Sequence, residues 1–310
     1  MYTSHELHLG DEAYPKELQL LEKPPDPLYV YGDLDVLAER KLSVVGARQA
    51  TPYGIAASRM AGRVAAECGL CVVSGGARGC DSAAARAALA AGGKTIVICG
   101  TGADRVYPDS SRDVFEKALA QGGAIVSMEY WGQPPKRWAF PKRNQLIAAL
   151  GEVLFVCEAG IRSGTTSTAE VATNLGRRVY AVPGSIFSPQ SVGTNRLIAD
   201  GAAMVCSEQD LEAMISLDFG CLRAWTGQIP AEEGRVLSAL IASATRPDEL
   251  ALTLGMDPLT LLRTLSEYET KNIVERLPDG RYAPTADYLN TRARIGQIQI
   301  TSDCFSTSIL

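Results

Sequence analysis

The chain has 310 residues, 46% of them hydrophobic and 21% charged, which is ordinary globular usage and excludes a disordered or fibrous protein. Its net charge is −5, which argues against wholesale polyanion binding but leaves room for a local basic patch, because charges act over about 8 Å at cellular ionic strength. No run of about 18 apolar residues is available to span a membrane, and the start, MYTSHELHLG, lacks the basic and apolar regions of a signal peptide, so a cytoplasmic location is expected.

Residues 1–40 read as a short N-terminal extension. Strands are then predicted at Leu42–Gly46, Leu70–Ser74, Thr95–Cys99, Ala124–Ser127, Val153–Cys157, Val179–Val182 and Ala203–Cys206. Several are continuously apolar and rich in β-branched residues, as strands covered on both faces require. Ala-rich helical segments lie between them. One is Gly54–Cys68, stopped by Gly69; another is Asp81–Ala91, capped by Asp81 and stopped by Gly92-Gly93. This alternation predicts a doubly wound, mostly parallel α/β domain over 41–215.

Residues 216–230, with Gly220, Trp225, Gly227 and Pro230, read as a linker. Helical patterns follow at Glu232–Ala242, Pro247–Leu254 and Pro258–Tyr268, then strands at Ile273–Leu277 and Arg281–Ala283 joined by the turn Pro278-Asp279-Gly280. Three helices and a hairpin predict a small winged helix over 231–285. Residues 286–310, with one alternating stretch (IGQIQI), read as a flexible tail.

The eight cysteines read as small buried hydrophobes. Cys68 and Cys71 form a lone C-x-x-C with no second pair, and the two histidines, His5 and His8, lie near the start, so neither a metal site nor a cofactor is expected.

Ligands of open α/β sheets bind beyond the carboxyl ends of the strands. Four loops there are rich in Gly, Ser and Thr: Gly46–Gly54 with Arg48, Ser74–Asp81 with Arg78, Gly100–Asp104, and Glu158–Ser167 with Arg162. Their free backbone N–H groups, the helix N-termini behind them and the arginines make an anion cradle. Each loop alone is equally a tight βα turn, and none matches a dinucleotide or P-loop fingerprint.

After the fourth strand, Lys136, Arg137, Lys142 and Arg143 are interleaved with Trp138 and Phe140, with no acidic residue between Glu129 and Glu152. Pro141 at a helix start would leave the N–H groups of Lys142, Arg143 and Asn144 facing an anion. Basic groups along a backbone with aromatic faces suit a single-stranded nucleic acid, whereas the plainer reading is a solvated charge run with Phe140 plugging the core. Catalytic groups are sparse: there is no nucleophile elbow, and the α/β domain has no histidine. The carboxylates near the rim are Asp81, Asp104, Glu129, Glu158 and Glu170. The third helix of the winged-helix segment sets Asp257 and Glu267 against Arg263, which suits protein contact better than a DNA groove.

These motifs resemble the DNA-processing protein A family (DprA, also called Smf). The marks are Gly46-Ala47-Arg48 with Thr51, Tyr53 and Gly54, Ser74–Asp81, Gly100–Asp104 with Tyr107-Pro108, Phe140–Asn144, Glu158-Ala159 with Ser163–Thr165, Ala181–Ser185 and Gly193–Ile198. The resemblance implies an extended Rossmann-like domain that binds single-stranded DNA without catalysis and forms a homodimer. It implies protection of incoming strands in natural transformation and loading of RecA recombinase onto them. The basic pocket it implies falls on Arg48, Lys142 and Arg143 with Phe140 alongside. Ser74, Gly75, Gly76 and Arg78 of the second loop, Asn144, and Ser163, Gly164 and Thr165 complete the implied DNA site. Departures are Gly-Ala-Arg for the usual Gly-Ser-Arg, Gly-Cys-Asp for Gly-Ile-Asp, and a short start without the additional N-terminal helical domain of some members.

The rival reading is an enzyme. The fold is similar to that of LOG-type nucleotide phosphoribohydrolases, and Ser163–Glu170 resembles their Pro-Gly-Gly-x-Gly-Thr-x-x-Glu signature with the Glu displaced and the Gly pair absent. That reading makes Glu170 the acid or base.

Overall fold

A computed structural model of the chain describes residues 2–161, 163–223 and 235–288. The chain divides into two compact units, residues 1–225 and 226–310.

In the first unit, β1 (Ser4–Leu7), β2 (Leu28–Gly32), β3 (Lys41–Val45), β4 (Cys71–Ser74), β5 (Thr95–Ile98), β6 (Ala124–Ser127), β7 (Val153–Val156), β8 (Arg178–Ala181) and β9 (Ala203–Met204) form one sheet. Its order is β1-β2-β6-β5-β4-β3-β7-β8-β9, parallel from β6 to β9, with β2 antiparallel to β6 and to β1. Every residue of β3 to β7 is buried, as continuous apolar runs between two helical layers require. Side chains alternate between the layers: Leu42, Val44, Val153 and Phe155 enter one core, Val45, Leu154 and Val156 the other. The first core is covered by α1 (Pro52–Glu67), α2 (Cys80–Ala90) and α7 (Glu208–Phe219), the second by α4 (Ala139–Leu150) and α5 (Gly164–Asn174). The remaining helices are α3 (Arg112–Ala120) and α6 (Val192–Ala199). This is the Rossmann-like architecture expected.

β3 and β7 are neighbours, but β3 leads to a helix on one face and β7 to a helix on the other. The loops diverge there and open a crevice at the strands' carboxyl ends.

Three expectations need correction. Residues 1–40 are not a separate extension, since β1 and β2 enlarge the sheet, with Tyr29 opposite Ser127 and Gly32 opposite Ala124. The signal was weak because β2 follows a proline-rich run and alternates buried Leu28 and Val30 with half-buried Tyr29 and Tyr31. The segment 216–230 is not all linker: α7 runs to Phe219, and Arg223 is buried in ion pairs with Glu67, Glu208 and Glu212, while 224–230 lie outside the described residues. Asp81 does not cap α2, because Gly79, at φ +86°, occupies that position and Asp81 lies buried in the first turn.

The second unit comprises α8 (Arg235–Ala242), α9 (Pro247–Leu254), α10 (Pro258–Thr270), β10 (Val274–Arg276) and β11 (Tyr282–Pro284). Leu237, Leu240, Leu250, Leu261, Leu265 and Val274 form its core, and Thr245 adds a bridge to Tyr282. This is the winged helix. Tyr288 is buried in that core, so residue 288 is not part of a flexible tail; 289–310, including IGQIQI, lie outside the described residues. Cys68, Cys71, Cys80, Cys99 and Cys157 are buried, whereas Cys206 is exposed. Burial pushes the Cys68 and Cys71 thiols up to about 12. Among the described residues, no helix is long and apolar enough to cross a membrane.

Candidate functional site

The crevice at the β3/β7 switch is a cleft of about 1030 Å³. Its first wall is the loop after β3. Glu158, buried at the end of β7, holds that loop by accepting the Thr51 backbone N–H at 2.9 Å and the Thr51 hydroxyl at 2.6 Å. Thr51 in turn caps α1 by accepting the Gly54 N–H at 3.2 Å. The loop after β4 is tied to the same wall, since Cys80 N–H donates to the Ala47 carbonyl at 3.2 Å. A side chain at Gly79 would stand 2.3 Å from that oxygen. On these walls Arg48 and Arg78 are exposed at the rim. Arg48 lies over the Phe140 ring, 5.5 Å from its centroid, and Tyr107 packs 5.5 Å from the same ring.

Arg143 reaches into the cleft from α4 and is only 3% exposed. Its guanidinium donates to the Ile98 carbonyl, lies 3.9 Å from the Asp81 carboxylate and keeps a buried Nε without a protein partner. Burial pulls its pKa down, and Asp81 opposes the shift. Burial likewise raises Asp81, opposed by Arg143, by Arg48 and by backbone N–H groups of Ala77 and Gly75. A Cβ on Gly75 would lie 1.8 Å from the Arg143 guanidinium, so a side chain there would displace that group.

The third wall is the start of α5. Ser163 and Thr166 form a reciprocal capping box, each side chain accepting the other's backbone N–H at 3.3 Å. The N–H groups of Gly164 and Thr165 have no intrahelical acceptor and line the cleft at the positive end of the helix. Asn144 donates to the Gly164 carbonyl at 3.4 Å and joins the two walls.

The structure therefore brings Arg48, Arg78, Arg143, Asn144, Ser163, Gly164 and Thr165 to one cleft. The other expected site residues lie elsewhere. The Ser74 hydroxyl is fully buried and donates to the Val44 carbonyl at 2.7 Å. Gly75 lies beneath Arg143, and Gly76, at φ +64°, packs on Val97 and Phe115. None of these three lines the cleft, whereas Ala77, Arg78 and Asp81 of the same loop do. Phe140 supports Arg48 rather than lining the cleft. Lys142 sits outside it, with Nζ 5.9 Å from the exposed Trp138 ring and 3.9 Å from buried Glu129. The N–H groups of Lys142, Arg143 and Asn144 are not at a helix start, because α4 begins at Ala139 and Pro141 already occupies its third position. Arg162 lies outside the described residues.

Among the described lining residues Asp81 is the one carboxylate, and it is bound to Arg143. Asp104 orders its loop by accepting the Gly132 N–H at 2.8 Å. Glu170 is exposed on α5 and does not line the cleft. The reading of single motifs missed Glu158 as the clamp of the first wall, and it missed Ile186 and Phe187 as lining residues.

The family profile described as DNA recombination-mediator protein A matches residues 5–216, and the DprA winged helix domain matches residues 224–280. The chain belongs to the DNA recombination-mediator protein A (DprA) family. Protein Smf of Escherichia coli is 36% identical over 216 residues, which cover 70% of this chain and 57% of that protein. The chain thus spans little more than half of that relative. DNA processing protein DprA of Streptococcus pneumoniae is 38% identical over 203 residues, covering 66% of this chain and 71% of that one. The X-ray structure of the S. pneumoniae DprA matches with a TM-score of 0.63 at 37% identity, over 68% of this chain and 74% of that one. A Helicobacter pylori DprA structure, described by its single-stranded DNA binding mode, matches with a TM-score of 0.62 at 30% identity, over 69% and 97% of the two chains.

Proposed function

We propose that this protein binds single-stranded DNA in the β3/β7 cleft, without catalysis, and serves recombination in the cytoplasm by protecting the strand and passing it to RecA as a homodimer. The observation that carries this reading is the convergence of the exposed Arg48 and Arg78 with the free N–H groups of α5 on one cleft, above the buried Arg143 guanidinium. Such a site is preorganised for a phosphate oxygen. The ligand is further supported by the H. pylori relative, whose structure is described by its single-stranded DNA binding. Lys142 and Trp138 extend the cationic and aromatic surface beyond the cleft, where a continuing strand finds further phosphate and stacking contacts. Phe140 contributes by carrying Arg48.

Binding is favoured over nucleotide hydrolysis because Glu170, on which the enzymatic reading depends, is exposed and does not line the cleft. We assign the winged helix to protein contact, since α10 sets Glu267 and Glu269 against Arg263 and exposes Leu259, while α9 exposes Leu252.

The test replaces the exposed arginines together, R48E with R78E, and measures oligo-dT affinity beside release of free base from nucleoside monophosphates. The expected result is loss of binding with an unchanged melting temperature and no base release by the parent protein. Retained affinity overturns the site, and base release overturns the non-enzymatic reading.

A further inference from the structure

We propose that Ile186 and Phe187, at the tip of the loop between β8 and α6, form a stacking wall for the bases of the bound strand. This deepens the single-stranded DNA reading and rests on it. The loop is fastened along its length. The Tyr53 hydroxyl donates to the Pro183 carbonyl at 2.6 Å. Asn195 holds Gly184 from both sides, its Oδ1 accepting the Gly184 N–H at 3.0 Å and its Nδ2 donating to the Gly184 carbonyl at 2.9 Å. A Cβ on Gly184 would stand 2.2 Å from the Ser191 hydroxyl, so the close approach admits only glycine. Beyond it, the Phe187 N–H donates to the Ser185 hydroxyl at 3.2 Å, and the Ser188 N–H to the Ser185 carbonyl at 3.0 Å.

A loop tied this closely nevertheless leaves Ile186 80% and Phe187 89% exposed, and both side chains line the cleft. Ile161, 68% exposed, lines it as well. Exposed apolar side chains are unremarkable singly, but a group of them on a fixed loop beside a cleft marks a contact surface. The strand order sets its place. Arg48 and Arg78 follow β3 and β4, whereas Phe187 follows β8, on the far side of β7.

The occupant is fixed by charge. An apolar peptide would bury the exposed Arg48 and Arg78 without countercharge, at a heavy desolvation cost. A single strand of nucleic acid brings phosphates for the arginines and flat apolar faces for Ile186 and Phe187, whereas a duplex keeps its bases stacked inside. Stacking on Phe187 is indifferent to base identity, because every base has a π-face.

The experiment compares the full-length parent, F187A and F187W on an oligo-dT strand and on a strand of equal length whose central sites are abasic, at several salt concentrations. On oligo-dT, F187A is expected to bind about fivefold or more weakly with an unchanged salt slope, and F187W to restore affinity. On the abasic strand, F187A and the parent are expected to bind alike. Equal affinity for oligo-dT, or an equal loss on both strands, overturns the stacking wall while leaving the DNA reading standing. Failure of the parent protein to bind either strand overturns the DNA reading and the wall with it. Phe187 is nearly fully exposed, so thermal midpoints of the variants are expected to match the parent's.

Discussion

Arg143 and Asp81 lie 3.9 Å apart beneath the cleft, each almost wholly buried, so removal of Arg143 takes from buried Asp81 its strongest countercharge. R143M is therefore expected to cost about 3–5 kcal/mol of folding stability, read from urea unfolding. An unchanged midpoint would show that Arg143 is dispensable to the fold. Arg48 and Arg78 are exposed, and R48A with R78A is expected to leave stability intact while lowering the salt slope of single-strand binding by about 0.7 for each phosphate no longer neutralised. At this scale the motif Phe140–Asn144 lies on the helix that lines the cleft but mixes distinct positions. Arg143 faces the cleft, Phe140 supports Arg48, and Lys142 lies outside. One-residue steps around a helix decide those directions, and α4 begins two residues before Pro141. Glu158 was legible as a rim carboxylate, but its bond to Thr51 spans 107 positions, which no local motif reports.

Among the helices, α1 and α2 approach closely enough that a Cβ on Gly62 would lie 2.1 Å from the Ala84 carbonyl oxygen, a backbone atom that cannot step aside. Since these helices carry the loops bearing Arg48 and Arg78, G62V is expected to lose about 1–3 kcal/mol of stability and to weaken DNA binding with it. Calorimetry beside a binding titration checks both. The helix α7 and the segment after it are fastened by Arg223, buried against Glu67, Glu208 and Glu212. Burial works against ionisation of Glu208, but Arg63 and Arg223 overcome it and hold the carboxyl at about 2, below its usual range. A carboxyl lowered on folding contributes stability that is complete above its unfolded pKa, near 4.3, and is lost as pH falls towards 2. E208Q is expected to melt lower than the parent at pH 7, with the gap closing as pH falls through that window. A constant gap would contradict the assignment. The continuously apolar strands and Ala-rich helices were legible because burial on both faces dictates composition, whereas β1, at the sheet edge, and β2 beside it were not, because both are only partly buried and carry weak patterns.

Taken whole, the chain has a large α/β unit and a winged helix, each with its own apolar core. Separate cores predict two unfolding transitions in calorimetry; a single cooperative transition would argue against independent folding. The rim proposed here for anion binding, on a chain of net charge −5, was readable because several loops of one composition fall at the same ends of one sheet, which strand order determines. The cleft's apolar side was not readable, since Ile186 and Phe187 look like any loop hydrophobes until the ties to Tyr53 and Asn195 are seen. Fluorescence anisotropy of a labelled oligo-dT, titrated with the full-length protein across a salt series beside unlabelled duplex competitor, tests the nucleic-acid assignment directly. The expected result is tight, salt-sensitive binding that duplex competes for poorly. Absent binding, or a preference for the duplex, would contradict it and leave the cleft as a site for a small phosphate.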